Sequence, residues 1–499
     1  MQILRCIRAM TSPVLAIVVA LAISTELTSA QSGRYVNPLS IEDSRSVADP
    51  TVLRFHGKYY LYLSGGAVWV SDDLVSWKHE QIQMPVGQRQ PTAPNAFVYK
   101  GSVYISGNDS GFWKASNPVG PFTYIGDIKA PSGNSMKLFD PMTFVDADGR
   151  IYMYYSGRHT DGIWGVELDP KDITHFLSEP KHLFTFDPAH KWELYGDNNE
   201  GTHVSWLEAP WITRHNGKYY LQYSSPGTEW ETYSVGVYTS ARPLGPFVIQ
   251  PRNPMLVHHY GLIRGTGHHT TFEGPDGKLW TIYTVLFRNW STFDRRIGMD
   301  PVKFDPQGNM YADGPSEEPR SVTSPDDPRH SIAVSINRYT YAASSAAPGR
   351  DPQYAFDNNV RTWWQPAEGD KTPWITLDLG SRNSDDPNQE FIVDSSRILF
   401  DAAPIRPVGV IHVDGHDRLH QYENQPGALG PLQYRLEASL DGKTYFPVLD
   451  KTDNRRAVVN LFDEFKPVRC RFVRLTITGF PPGAPLALLE FTVFGKSAE

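Results

Sequence analysis

Val47-Ala48-Asp49-Pro50-Thr51-Val52-Leu53-Arg54-Phe55-His56-Gly57-Lys58-Tyr59-Tyr60-Leu61-Tyr62-Leu63-Ser64 is the stretch on which the fold turns. An acid stands first, followed at once by proline. Thr51 to Phe55 is an apolar run of strand character, and Tyr59 to Leu63 is a second, aromatic one. His56-Gly57 between them is a tight turn, where glycine supplies the positive φ that hairpins need. The stretch therefore reads as a β-hairpin with a carboxylate at its mouth.

The unit recurs. Tyr99-Lys100-Gly101-Ser102-Val103-Tyr104, Asp148-Gly149-Arg150-Ile151-Tyr152, Asn216-Gly217-Lys218-Tyr219-Tyr220 and Asp276-Gly277-Lys278-Leu279-Trp280 repeat the glycine turn and the aromatic strand. Spacings of roughly 45 to 70 residues suit one four-stranded blade plus its loops. Five copies predict an all-β chain whose first part, residues 31–320, is a five-bladed β-propeller. Pro- and acid-rich sequence follows it, with 321–330 read as a linker. Residues 331–499 carry further short strands, among them Trp374 to Leu379, Tyr434 to Ser439, Phe472 to Ile477 and Leu489 to Phe494. They read as a second all-β domain, a β-sandwich of jelly-roll type.

At 499 residues the chain exceeds one ordinary core, in keeping with that division. A net charge of -8 argues against nucleic acid or an anionic membrane as partner. Residues 1–30 have the form of a secretory signal peptide: Arg5 and Arg8, the apolar run Val14 to Ile23, then small residues before Gln31. The expectation is a secreted or periplasmic monomer, free of the membrane once the leader is cut. Of the two cysteines, Cys6 lies in the leader and Cys470 is then alone, so no internal disulfide can form. Its surroundings place Cys470 in a buried strand.

Three units carry an acid just ahead of the first strand: Asp49 before Pro50, Asp140 before Pro141, and Glu208 in Leu207-Glu208-Ala209-Pro210. The innermost strands of a propeller start at one face near the axis, so these acids are expected to converge on one funnel. Convergent carboxylates suit glycoside hydrolysis, in which one group activates water and another is held protonated to donate to the leaving oxygen. A third carboxylate nearby raises the pKa of the acid. His268, ahead of the fifth repeat, arrives at the same level, where an imidazole can hold substrate, water or a metal ion. Arg295, on the strand closing the last blade, offers a fixed cation to orient sugar hydroxyls or an acid side chain.

Ala48-Asp49-Pro50 with its Gly-Lys-Tyr-Tyr-Leu hairpin, Asp140-Pro141 with Phe144 to Gly149, and Glu208-Ala209-Pro210 with Asn216 to Tyr220 resemble glycoside hydrolase family 43 over residues 40 to 320. The resemblance implies a five-bladed propeller that hydrolyses glycosides with inversion. Asp49 would be the general base, Glu208 the general acid, and Asp140 the group that tunes and positions the acid. His268 would match a histidine that coordinates a central ion or its waters, and Arg295 matches by its spacing from Pro301. Thr92-Ala93-Pro94-Asn95 stands where many members have Trp-Ala-Pro-Asp, which marks Asn95 for substrate binding.

The C-terminal part resembles discoidin-like, factor V/VIII type C modules, which include carbohydrate-binding module family 32. The matching residues are Tyr354 to Asn359, Thr362-Trp363-Trp364, Glu437 to Gly442 and Ala487 to Gly495. That resemblance implies sugar-binding loops at one end and a structural calcium near Asp357. The chemistry itself needs no cofactor. The substrate implied is a polysaccharide or oligosaccharide of plant type from which terminal or side-chain sugars are removed. An α-L-arabinofuranosidase or β-xylosidase comes first. The alternatives are a galactosidase or galactofuranosidase of the same fold, or a carbohydrate-binding protein without activity.

Overall fold

The computed structural model describes residues 33–499 apart from 43–45, 289–292, 327–330, 339, 381–387, 403–406, 414–415, 423–429, 482–484 and 499. The leader read at 1–30 lies outside the described residues, as does the end of the segment read as a linker. The described residues are almost entirely strand, with three short 3-10 turns at His159–Asp161, Lys191–Glu193 and Pro352–Phe356. None of their helices is long and apolar enough to cross a membrane.

Five antiparallel four-stranded sheets follow one another, each with its strands in chain order. Their innermost strands are Ala48–Phe55, Asn95–Tyr99, Phe139–Val145, Glu208–His215 and Gly267–Glu273. Hydrogen bonds between these strands run right round a ring. Thr51 Oγ1 donates to Pro94 O (2.6 Å), Thr143 N to Asn95 Oδ1 (2.9 Å) and Ala209 N to Asp140 Oδ2 (3.1 Å). Trp211 Nε1 donates to Thr271 O (2.9 Å), and Thr270 Oγ1 returns to Pro50 O (2.6 Å). The sheets are thus the five blades of a propeller.

The glycine turns divide into two kinds that the repeat pattern does not separate. His56-Gly57, Lys100-Gly101 and Asn216-Gly217 are two-residue turns with both residues at positive φ, the type whose twist matches the strands it joins. The turns at 146–150 and 274–278 are five residues long, and only Gly149 and Gly277 are left-handed in them.

The ring is sealed by the segment ahead of the first blade. Leu39 N donates to Ile297 O (2.7 Å) and Val47 N to Arg295 O (3.1 Å), so this segment runs along the last blade. The Asn37 amide reaches Asp300 Oδ2 (3.1 Å). Burial leads the influences on Asp300 and pushes its carboxyl up to about 7 against the opposing pull of Arg320.

Beyond residue 330, two sheets of four and five strands enclose one core. Ile375 and Leu377, Leu436 and Ala438, and Val473 and Leu475 alternate inward from one sheet, meeting Ile398, Phe400, Phe491 and Val493 from the other. Cys470 is buried at a strand end, and burial pushes its thiol up to about 12, which leaves it unreactive.

Residues 33–499 form one compact unit. Val360, Trp363, Leu399, Ala487 and Leu489 share a core with Leu262, Ile263 and Val285 of the propeller. Arg397 is wholly buried and donates to Asn37 O (2.7 Å) and Thr492 Oγ1 (2.9 Å). The segment read as a linker is pinned where it is described: Arg320–Ser321 pairs with Arg34–Tyr35, and Asp326 binds Lys303 (2.6 Å) and Lys278 (3.3 Å).

Candidate active site

Four of the innermost strands break register where they begin, between Ala48 and Thr51, Phe139 and Met142, Glu208 and Trp211, and Gly267 and His269. A left-handed residue sits in each break: Asp49 (φ 58), Asp140 (φ 49), Ala209 (φ 50) and His268 (φ 40), and Ala93 (φ 44) takes the same place in the second blade. Such backbone costs on the order of 1–3 kcal/mol per residue and bends the strand so that its side chain is re-aimed. Asp49, Asp140 and His268 hold equivalent positions. Glu208 stands one residue earlier, because Ala209 takes the left-handed place in its blade.

The structure brings these residues together. Asp49 Oδ1 lies 3.4 Å from both His268 Nδ1 and Arg295 Nη1, and Ser64 Oγ donates to Asp49 Oδ2 at 2.5 Å. His268 Nδ1 is also 3.8 Å from Asp140 Oδ2. Asp140 N donates to Asn108 Oδ1 (2.5 Å), and Glu208 Oε1 accepts from Tyr233 Oη (2.6 Å). All three acidic residues are buried.

Their protonation is driven apart. Burial pushes Asp49 up, but Arg295, His268 and Ser64 together outweigh it and hold the group below the usual carboxylate value. Burial raises Asp140, with Asp49 adding to the rise while His268 and Asn108 oppose it. Glu208 stands well above the ordinary range, first through burial and then through the negative charge of Asp140. Tyr233 offsets part of that rise, and Glu229 and Asp49 add to it. At one mouth, then, one carboxyl is pushed toward its charged form and another toward its neutral form.

Neighbours of two site residues point elsewhere. His269 is buried with Nε2 on Gln222 Oε1 (2.9 Å), and burial followed by the His268 charge lowers it to about 3, so it is a neutral structural imidazole. The Arg296 guanidinium turns away to Asp294 and to Asp401 of the C-terminal sheets. Asn95 is 3% exposed and its Oδ1 joins the second blade to the third. It lines a small axial cavity together with Asp140, Ala93 and His268.

Three residues of the site escape sequence reasoning. Ser64 closes the first hairpin opposite Ala48 and so faces Asp49. Tyr233 comes from the loop ahead of the third strand of blade four, and its ring fits because residue 267 has no side chain: a Cβ there would meet the ring at 2.3 Å. Asn108 reaches Asp140 from the neighbouring blade. Only the Gly-His pair at 267–268 hints at any of them. At the rim, half-buried Trp206 lies against Phe139 (5.5 Å between ring centroids) and His159 (4.2 Å). Trp192 and Tyr195, from the segment ahead of Trp206, pack on their own neighbours. Tyr195 is buried on Trp230, and Trp192 stacks on His190.

Among the described residues no group of three or more His, Cys, Asp and Glu side chains could hold a metal ion. His268 places Nδ1 between two carboxylates. Asp357 accepts from Asn359 N (3.1 Å) and Thr362 Oγ1 (2.6 Å). Beside it, Asn358 Oδ1 and Glu490 Oε1 are buried acceptors with no hydrogen-bond partner, a donor set of the hard-oxygen kind that calcium takes.

A ring of blades with opposed carboxyl groups at its mouth is the arrangement that glycoside hydrolysis needs. The chain belongs to the glycosyl hydrolases family 43, whose family model matches residues 36–310. It is 26% identical over 298 residues to a beta-D-galactofuranosidase of Aspergillus niger, covering 53% of this chain and 81% of that protein. It is 27% identical over 242 residues to a beta-xylosidase of Xylanibacter ruminicola, covering 43% and 68%. An extracellular endo-alpha-(1->5)-L-arabinanase of Bacillus subtilis is 26% identical over 258 residues, covering 42% and 51%. A solved thermostable family-43 glycoside hydrolase is 25% identical, with a TM-score of 0.48 over 57% of this chain and 97% of that one.

Proposed function

We propose that the chain is an exported, inverting exo-glycosidase that removes terminal or side-chain sugars from plant-type oligosaccharides or polysaccharides, acting as an α-L-arabinofuranosidase or β-xylosidase. The observation that carries this reading is the opposite pull on Asp49 and Glu208 at one mouth. Asp49, kept ionised, takes a proton from water as that water attacks the anomeric carbon. Glu208, kept protonated, gives its proton to the departing glycosidic oxygen. Asp140 holds the proton on Glu208 by its charge and fixes the backbone beside it through Ala209 N. Arg295 and His268 keep Asp49 charged and offer donors to sugar hydroxyls, and Asn95 lines the axial cavity with His268.

In this reading the two C-terminal sheets are a discoidin-like module, with Asp357, Asn358 and Glu490 holding a structural calcium. Residues 1–30 direct export. The test is a panel of aryl arabinofuranosides, xylosides and galactofuranosides, with the first product followed by NMR. Inverted product from arabinofuranosides or xylosides is the expected result. Retention at the anomeric carbon would sink the assignment of Asp49 as base. A galactofuranosyl substrate is the second reading, supported by the Aspergillus niger relative.

A further inference from the structure

A second hollow opens on blade two. Its volume is about 400 Å³, and Trp113, Tyr124, Asp109, Asp127, Lys137 and Gln88 are among the residues that line it. We propose that it is a distal glycan subsite, which takes a neutral oligosaccharide segment of the substrate whose end is cleaved in the funnel. The proposal rests on the glycosidase reading of that funnel.

The aromatic surface is built in place. The Trp113 and Tyr124 rings lie 4.8 Å apart at 56°, and Tyr124 is 42% exposed. The Tyr124 hydroxyl is tied to Asp127, whose other oxygen accepts from Ser135 Oγ (2.9 Å). Gly111 makes room for the ring, since a Cβ there would lie 2.6 Å from the Tyr124 hydroxyl and 2.1 Å from Gly126 O. A held, exposed tyrosine face offers apolar area at low entropic cost, which suits the C–H face of a sugar ring.

The polar groups around it are mixed in sign. The Asp109 carboxylate and the Gln88 amide are exposed and make no hydrogen bond to protein among the described residues. The Lys137 ammonium is held on Asp109 O (2.9 Å). Two carboxylates beside one lysine disfavour a phosphate or uronate, whereas acceptors and donors around an aromatic face match neutral hydroxyls.

The wall of the hollow is tied to the catalytic mouth by backbone. The turn Asn108-Asp109 forms part of it, and that turn accepts Asp140 N on Asn108 Oδ1 and donates Asp109 N to Leu138 O (2.9 Å). A glycan lying here is one turn of backbone away from Asp140.

The test uses the full chain and a ladder of linear xylo- and arabino-oligosaccharides of two to six units. For Tyr124→Ala, turnover of an aryl monosaccharide should stay within about twofold of wild type. KM for the longest oligosaccharides should rise about tenfold, the range of one lost aromatic contact. Calorimetric titration of the same ladder into Glu208→Gln enzyme, with and without Tyr124→Ala, should show the same loss. Tyr124→Phe, which keeps the ring, should retain most of the affinity and guards against misfolding of the alanine variant. Length-independent KM in wild type, or equal affinity with and without Tyr124, would overturn the subsite. If no aryl glycoside is turned over while Tyr124-dependent binding persists, the catalytic reading fails and the binding site stands.

Discussion

Gly267→Ala should damage catalysis through a residue that never touches substrate. The new Cβ would lie 2.3 Å from the Tyr233 ring, against a normal carbon separation of about 3.5 Å. The ring must therefore retreat by about 1.2 Å. Tyr233 Oη now sits 2.6 Å from Glu208 Oε1, so a retreat of that size breaks the bond. Misplacing a group that orients the acid by about 1 Å costs on the order of 10² in rate. Forcing one methyl into a packed site costs about 1–3 kcal/mol of stability. The sign in pH also follows. Tyr233 donates to the carboxylate form and lowers the Glu208 pKa, so losing it lets the acid hold its proton to higher pH. The assay is the pH profile of kcat/KM on an aryl glycoside, paired with urea unfolding. The expected result is a basic limb moved up, kcat reduced about 100-fold and a lower urea midpoint. Tyr233→Phe, which keeps the ring, should move the basic limb the same way with little change in midpoint. Wild-type activity and an unmoved basic limb in both variants would refute the role given to Tyr233.

Asp140→Asn should move the basic limb in the opposite direction, to lower pH, because the Asp140 charge is the leading influence after burial that keeps Glu208 protonated. The pH profile of kcat/KM reads it directly. Glu208→Gln should cut turnover of poor leaving groups by about 10² to 10⁴ while sparing good ones, as a comparison of alkyl with nitrophenyl glycosides would show. The same change should stabilise the fold at neutral pH: a carboxyl whose folded pKa is raised destabilises the folded state as pH climbs above its unfolded value, and thermal unfolding at pH 4 and pH 8 tests the sign. Glu231→Gln should cost about 1–3 kcal/mol in urea. It leaves Arg264 (3.4 Å), Arg288 (3.3 Å) and Arg361 of the C-terminal part without their common carboxylate. Propeller and C-terminal sheets should still unfold in one transition.

Much of this architecture was legible in the chain because local rules write it there. The X-Gly turns need positive φ, the aromatic strands alternate, and the acids stand one or two places before prolines. The blade count and the meeting of Asp49, Asp140, Glu208, His268 and Arg295 follow from that pattern. What escaped notice depends on contacts between distant segments. Ser64 and Tyr233 are ordinary residues until folding sets them against carboxylates. The one-residue offset of Glu208 depends on which residue takes the left-handed place. The choice between His268 and His269, or between Arg295 and Arg296, is made by the side of a strand that faces the axis. Trp206 and Phe139 meet at the rim, while Trp192 and Tyr195 are held away from it because the buried Glu193 carboxylate, bound by Tyr223, His190 and the Asp187 amide, anchors their segment onto blade four.

The segment that seals the ring fixes the order in which the molecule can be finished. Leu39 and Val47 are among the first described residues to be synthesised, yet their partners Ile297 and Arg295 belong to the last blade. The first blade must wait, one side open, while four more are made. Closure then brings together ends about 250 residues apart, at a loop entropy that grows only slowly with length but a rate that suffers. Asp49 and Arg295 meet at that same seam. A chain stalled before its final blade would therefore lack Arg295 beside Asp49 as well as stand open, and a complete site reports that the ring has closed.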